Sequence, residues 1–184
     1  MRPSPALMTL RIIWFALLMS AFLYIGLVFF VLPKPTRPAR DAFMLVGICA
    51  MSAVVAVMSF IMPRILYRNA VKRVDTQTTE EIAPNAFPGR YREVTPKRIV
   101  FADPEAALKL AYLCFQTPFI MSLALSEAIA ICGLVLAQLG YEALYPLPFF
   151  IVGILLIAIR FPRHEQVIKA FEQAREAVFP AQNG

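Results

Sequence analysis

Residues 12–32 read IIWFALLMSAFLYIGLVFFVL, an uncharged run that follows Arg11 and ends at Pro33 and Lys34. A helix of these 21 residues is about 31 Å long, which matches a hydrocarbon core of roughly 30 Å. A secretory signal peptide would have a shorter apolar region, of about 7–15 residues, followed by a small-residue cleavage site. The stretch therefore favours a retained transmembrane helix over a signal peptide.

A second uncharged run, residues 42–62, has the same length and ends before Pro63 and Arg64. The whole chain of 184 residues is 59% apolar and 16% charged, whereas soluble domains have about 45–50% and 25%. Lipid is therefore predicted to be the main solvent of this chain. Small residues are scattered through 42–62, which is typical of helices that pack closely in a membrane.

A longer helix is predicted over residues 104–139. It begins at Asp103-Pro104-Glu105, where an aspartate can cap the first turn and proline fits the first helical position. Pro118 is expected to kink this helix at its entry into the membrane. The third span is then residues 119–139.

Gly140-Tyr141-Glu142 forms a tight connection to a fourth apolar stretch, residues 143–161. After it, Glu165, Lys169 and Glu172 alternate with a set of apolar residues at helical spacing. This pattern predicts an amphipathic tail helix. Its apolar members are Val167, Ile168, Phe171, Ala174 and Val178.

The predicted fold is an all-α membrane protein, a bundle of four transmembrane helices. Its parts are a first transmembrane hairpin (1–62), a basic cytoplasmic loop (63–103), a second hairpin (104–161) and a cytoplasmic amphipathic tail (162–184). Of the 18 lysines and arginines, all except Lys34, Arg37 and Arg40 lie on the side that holds both termini and the loop. Positive residues are retained in the cytoplasm, so both termini are expected inside the inner membrane.

The loop begins with a basic stripe. Arg64, Arg68 and Lys72 recur every four residues along a helical continuation of the second span, and Arg73 follows. Such a stripe suits contact with anionic lipid headgroups, although ordinary topology-setting charge explains it equally well. With long apolar runs between the charges, the net charge of +6 does not indicate nucleic-acid binding. Further along, Pro84, Pro88, Gly89 and Pro96 predict an irregular loop.

Glu127 is the only carboxylate inside any predicted span. An acid at that depth is costly and usually faces protein or water, where it has a structural or functional role. No lysine or arginine is expected at comparable depth in the other spans. Its partner must then be sought among hydroxyls, backbone carbonyls, water or another subunit. The candidate hydroxyls are those of Ser20, Tyr24, Ser52 and Ser59.

A polar stripe accompanies this glutamate, because residues 11 positions apart return to nearly the same face of a helix. Lys109, Gln116, Glu127 and Gln138 recur in this way. Two interpretations remain open. Glu127 either fixes helix packing or assembly as a hydrogen-bonding group, which we favour because no second intramembrane acid completes a relay, or it binds and releases a proton or cation.

The segment from Ser126 to Ala137 reads SEAIAICGLVLA. It resembles the ion-carrying helix of rotary ATP synthase c subunits, and Pro104-Glu105-Ala106 resembles the polar loop before that helix. By this resemblance Glu127 would carry the ion. The whole chain is similar to a group of small bacterial four-span membrane proteins, on the segments 123–128 (LALSEA) and 160–165 (RFPRHE). That similarity implies an architecture and no activity.

An enzyme is the weakest hypothesis. The sequence has no nucleophile–base arrangement, no metal-ligand cluster and no glycine-rich phosphate loop, so no catalytic residue, metal or cofactor is expected. The favoured function is a structural or accessory membrane protein that forms a homo-oligomer or joins a larger membrane complex. The alternative is a subunit that conducts protons or cations through Glu127, together with Gln116 and Gln138.

Overall fold

A computed structural model describes residues 5–32, 41–82 and 97–179. The chain is mostly helical. Its elements are α1 (Pro5–Gly26), a π-helical turn (Leu27–Val31), α2 (Ala42–Arg73), β1 (Thr78–Ile82), β2 (Lys97–Phe101), α3 (Pro104–Gln138), α4 (Leu147–Ala158) and α5 (His164–Arg175). The predicted breakers Pro84, Pro88, Gly89 and Pro96, and the basic residues Lys34, Arg37 and Arg40, lie outside the described residues.

Within the described residues, three helices are long and apolar enough to cross a membrane, namely Pro5–Val31, Ala42–Arg73 and Pro104–Gln138. The fourth apolar helix, Leu147–Ala158, is shorter than the predicted 143–161, because residues 143–146 form a turn and the helix ends before Ile159. The chain is therefore helical and membrane-like, as the apolar runs predict. The predicted cap of α3 is present, since Asp103 Oδ1 accepts hydrogen bonds from the amides of Glu105 (3.1 Å) and Ala106 (3.0 Å).

The chain divides into two compact units. The first comprises Met1–Leu66 and Gln116–Pro162, and contains α1, α4 and the apolar parts of α2 and α3. Two hydrogen bonds show which parts of its helices lie at the same level. Trp14 Nε1 donates to the Ile157 carbonyl (2.8 Å), and the Tyr141 hydroxyl donates to the Asp41 carbonyl (2.5 Å). Trp14, the tenth residue of α1, is thus level with the end of α4, and the start of α2 is level with the connection that follows α3.

Helices α3 and α4 approach each other through small residues. A Cβ added at Gly153 would lie 3.1 Å from the Ala130 Cβ and 3.1 Å from the Ser126 carbonyl oxygen. At Gly133 it would lie 3.0 Å from the Phe149 Cβ. A side chain at either glycine would therefore force the facing helix to shift, so α3 and α4 are in close contact here.

The second unit comprises Tyr67–Phe115 and Arg163–Gly184. It contains a two-stranded antiparallel sheet, in which Thr78 pairs with Phe101 and Glu80 with Ile99. The sequence analysis predicted only a loop here, so these strands are a correction to it. Phe101 packs on Phe171 of α5, with ring centroids 5.5 Å apart, and this contact gives the unit an aromatic core.

The amphipathic tail helix is present as α5, with Val167 and Phe171 fully buried. The prediction that Val178 continues its apolar face is wrong. The helix ends at Arg175, and its C-cap Glu176 adopts the left-handed conformation (φ 53°). The chain then runs beside β2, where Val178 forms a parallel bridge with Val100. His164, at the start of α5, is hydrogen-bonded within this unit, because its Nδ1 lies 2.6 Å from the Tyr112 hydroxyl.

Candidate functional site

Glu127 lies half-buried on α3 and faces α1. Its Oε1 accepts hydrogen bonds from Ser20 Oγ at 2.5 Å and from the Tyr24 hydroxyl at 3.0 Å. Ser20 and Tyr24 are four residues apart on α1, which places both hydroxyls on one face of that helix. The carboxyl group is therefore bound within its own chain, by two of the four hydroxyls that the sequence offers it.

The Ser20 hydroxyl has one proton and two acceptors. Its Oγ lies 2.8 Å from the Leu17 carbonyl as well as 2.5 Å from Glu127 Oε1, and a hydroxyl donates only one hydrogen bond while offering two lone pairs. When Ser20 donates to Glu127, Oε1 accepts two hydrogen bonds, from Ser20 and from Tyr24. When Ser20 donates to Leu17, a protonated Glu127 supplies the hydrogen of the shorter contact. The same three side chains therefore accommodate Glu127 with and without its proton.

Arg160, which follows α4, is the group that the sequence analysis missed. Its Nη1 donates to the Ser122 carbonyl (2.8 Å) and to Ser126 Oγ on α3. Its Nη2 donates to the Ser59 carbonyl (3.1 Å) and to Ser59 Oγ (2.9 Å) on α2. The guanidinium also lies over the Phe60 ring, 4.7 Å from its centroid. One side chain thus joins the end of α4 to both neighbouring helices.

The two serine hydroxyls that bind Arg160 can both accept its hydrogen bonds, because each donates its own proton to a backbone carbonyl. Ser59 Oγ donates its own proton to the Ala56 carbonyl (2.7 Å), and Ser126 Oγ donates to the Ser122 carbonyl (2.8 Å). Their lone pairs are then left for the guanidinium. Ser59 and Ser126 are at most 1% exposed, so these hydrogen bonds are shielded from water. Among the side chains that the structure describes, no carboxylate forms an ion pair with Arg160.

The expectation that no cation lies near the depth of Glu127 is therefore wrong, because Arg160 reaches Ser126, the residue immediately before Glu127. We call the whole set the polar layer. It contains Glu127 and Arg160 with the hydroxyl residues Ser20, Tyr24, Ser59, Ser122 and Ser126. The sequence contains a signal for this arrangement, because Arg160 lies within the predicted fourth span and Ser122 and Ser126 are four residues apart on α3.

The other stripe residues are not gathered around Glu127. Gln116 and Gln138 lie 11 residues before and after it on α3, a rise of about 16 Å each way, and Gln138 is exposed. Lys109 is also exposed and lies in the second unit. In the last turns of α2, the predicted headgroup residues Arg64, Arg68, Lys72 and Arg73 are all exposed. The stripe thus follows one helix without forming a single binding site.

The polar layer consists of hydrogen-bonding groups around one carboxyl group and one guanidinium group. Within residues 5–32, 41–82 and 97–179, no three metal-ligating side chains come together. Comparisons with protein-family models, curated proteins and solved structures gave no match.

Proposed function

We propose that this chain is a non-enzymatic integral membrane protein of structural or accessory type, which associates with other membrane subunits through its helices. The observation that carries the proposal is the satisfied polar layer. Glu127 is held by α1, and Arg160 is held by α2 and α3. Hydrogen bonds between such polar groups determine which helices are neighbours and how each helix is rotated about its axis. Contact with hydrocarbon alone does not give this specificity.

The proposed topology has four crossings of the cytoplasmic membrane, with both termini and the loop between α2 and α3 inside. The shorter α4 fits a crossing because of where its ends lie. The connection at Tyr141 is level with the start of α2, and Arg160 returns to Ser122. From Ser122 to the end of α3 at Gln138 the rise is about 24 Å, and the connection to Tyr141 extends this distance towards the thickness of a hydrocarbon core. In this topology the basic end of α2 faces anionic headgroups of the inner leaflet.

Cysteine labelling tests the topology. Thr79→Cys places a thiol on an exposed residue of β1, and we expect a membrane-impermeant maleimide to label it only after cells are permeabilised. The native Cys114 thiol is buried, so background labelling of that residue is low.

The matched control is Glu142→Cys, in the exposed connection between α3 and α4, which should be labelled in intact cells. Labelling of Thr79→Cys in intact cells would place the loop outside, and would remove the proposed headgroup contact along with the topology.

Proton or cation conduction is the second candidate, favoured by the ability of Ser20, Tyr24 and Glu127 to accommodate both protonation states. Against it stands the guanidinium of Arg160, hydrogen-bonded to the residue before Glu127, because fixed positive charge raises an electrostatic barrier to cations. The accessory role is therefore the stronger proposal.

Glu127→Gln separates these functions. Glutamine keeps the size and can still accept from Tyr24, so we expect a free energy of unfolding within about 1 kcal/mol of the wild type and unchanged co-purification with membrane partners. Glu127→Leu, which leaves the hydroxyls of Ser20 and Tyr24 without their acceptor, should cost about 1–3 kcal/mol. Proton uptake by proteoliposomes that the wild type supports and Glu127→Gln abolishes would overturn the accessory role.

A further inference from the structure

Arg11 of α1 is an exposed basic side chain that packs on an aromatic ring. Its guanidinium lies over the ring of Phe161, which follows α4, at 5.4 Å from the ring centroid. Within the described part of the chain, Arg11 forms no ion pair and no hydrogen bond. Arg160, by contrast, donates to serines of α2 and α3. A guanidinium stacked on a ring keeps its N–H donors free in its own plane, so Arg11 is held in place with its donors available.

The charge of Arg11 is not balanced inside the first unit. Among the carboxylates described there, Asp41 and Glu142 lie at the opposite end of α4, beside the connection that follows α3. Glu127 is hydrogen-bonded to Ser20, which lies nine residues beyond Arg11 on α1, a rise of about 13 Å. The end of the unit that contains Arg11 is therefore positively charged, and an anionic ligand suits it.

An aromatic neighbour indicates the depth of Arg11 in the bilayer. The Trp14 ring packs edge-on against Phe161, with centroids 5.1 Å apart, and its Nε1 donates to the Ile157 carbonyl (2.8 Å) at the end of α4. Tryptophan is typical of the membrane–water interface, where its ring lies at the level of the headgroups. Arg11 precedes Trp14 by about one helical turn and is therefore placed among the headgroups in the proposed topology.

Apolar side chains continue from Arg11 toward the bilayer centre. Phe15 and Met19 follow it at intervals of four residues, on the same face of α1, and they are 56% and 48% exposed. A ligand with both a phosphate and an acyl chain matches this surface along its whole length. A soluble phosphate would contact only the guanidinium, so the surface favours a phospholipid.

We propose that Arg11 binds the phosphate of an anionic phospholipid in the inner leaflet, and that an acyl chain of this lipid lies along Phe15 and Met19. Guanidinium groups bind phosphate through two parallel N–H···O hydrogen bonds. The proposed topology supplies the leaflet, so the inference rests on that proposal. The site is separate from the basic end of α2, because α1 and Phe161 form it.

The fluorescence of Trp14 provides the test, since it is the only tryptophan of the chain and contacts the same ring as Arg11. The full-length protein is placed in phosphatidylcholine vesicles that contain either brominated phosphatidylcholine or brominated phosphatidylglycerol as the quencher. The ratio of quenching by the two lipids measures the preference for the anionic headgroup beside Trp14. Arg11→Gln should lower this preference about fivefold, the factor expected for one basic side chain at a membrane surface. Quenching by brominated phosphatidylcholine should stay the same.

Two further variants separate a local site from general attraction. Lys109→Gln removes an equal charge from an exposed residue of the second unit and should keep the wild-type preference. Phe161→Leu keeps every charge but removes the ring beneath the guanidinium, and its preference should lie between those of the wild type and Arg11→Gln.

An unchanged preference in Arg11→Gln would overturn the site, and so would an equal loss in Lys109→Gln. A wild-type preference in Phe161→Leu would show that the ring does not position Arg11, and would overturn the geometry. Inorganic phosphate, added at constant ionic strength, should not reduce quenching by the anionic lipid; competition would indicate a soluble phosphate as the ligand instead. Vesicles carry the same lipid in both leaflets, so the outcome is independent of the Thr79→Cys labelling, and failure of the lipid site can be told apart from failure of the topology.

Discussion

Arg160→Ala is expected to lower the free energy of unfolding by about 3 kcal/mol, which for a chain of this size lowers the melting temperature by roughly 6–12 °C. The side chain makes four hydrogen bonds, to the backbone and side chains of Ser59, Ser122 and Ser126. Its removal eliminates all four of these hydrogen bonds between the end of α4 and helices α2 and α3. Thermal unfolding of the purified protein in a mild detergent measures the loss.

The conservative change at this position distinguishes geometry from charge. Lysine keeps the positive charge but presents three donors from a single nitrogen, whereas the arginine fork reaches two helices at once. Arg160→Lys should therefore fall between the wild type and Arg160→Ala. Arg163→Ala is the matched control, because Arg163 is exposed, and it should melt as the wild type does. An unchanged melting temperature for Arg160→Ala would remove the polar layer as a stabilising element.

A double-mutant cycle identifies the acceptors. Ser59→Ala with Ser126→Ala removes both hydroxyl acceptors and leaves the backbone carbonyls, so Arg160→Ala should cost less in that background than in the wild type. Groups that belong to one hydrogen-bonded network show such coupling, typically by about 0.5–3 kcal/mol. Additive losses would indicate that Arg160 stabilises the chain through other contacts.

The reach of Arg160 explains why sequence analysis missed it. Residues near the end of an apolar run can extend toward the headgroups or back into the bundle, and long basic side chains usually extend outward. Which way this one turns depends on acceptors from two other helices, Ser59 on α2 and Ser126 on α3. Hydropathy does not record those neighbours.

The apolar runs themselves were informative, because lipid selects helices by length and polarity. Glu127 and its possible partners could be named for the same reason, since few polar groups occur in such runs. That Ser20 and Tyr24 bind it, and Ser52 does not, depends on which helix lies beside α3. The strands Thr78–Ile82 and Lys97–Phe101 escaped prediction because they are short and pair across an intervening segment.

Gly153→Val should separate α4 from α3 at a cost of about 2–3 kcal/mol. The atoms that a new side chain would meet are the Ala130 Cβ and amide nitrogen and the Ser126 carbonyl oxygen, all 3.1–3.2 Å from the added Cβ. These atoms belong to the helix or stand next to its backbone, so they cannot turn aside, and α4 itself must move. Its displacement also pulls Arg160 away from Ser126. Melting in detergent, with the amount of folded protein recovered from membranes, measures the effect.

Gly47 supplies the matched control for this contact. It also lies inside a predicted span, but a Cβ added there meets nothing within 4 Å. Alanine is favoured over glycine in a helix interior by roughly 0.5–1 kcal/mol, so Gly47→Ala should leave the melting temperature unchanged or slightly higher. Gly153→Ala gains the same preference but must push α3 away, and we expect it to melt lower than the wild type. Equal behaviour of the two alanine variants would mean that α3 and α4 are not in close contact at Gly153, and Arg160 would then have no fixed distance from its acceptors on α3.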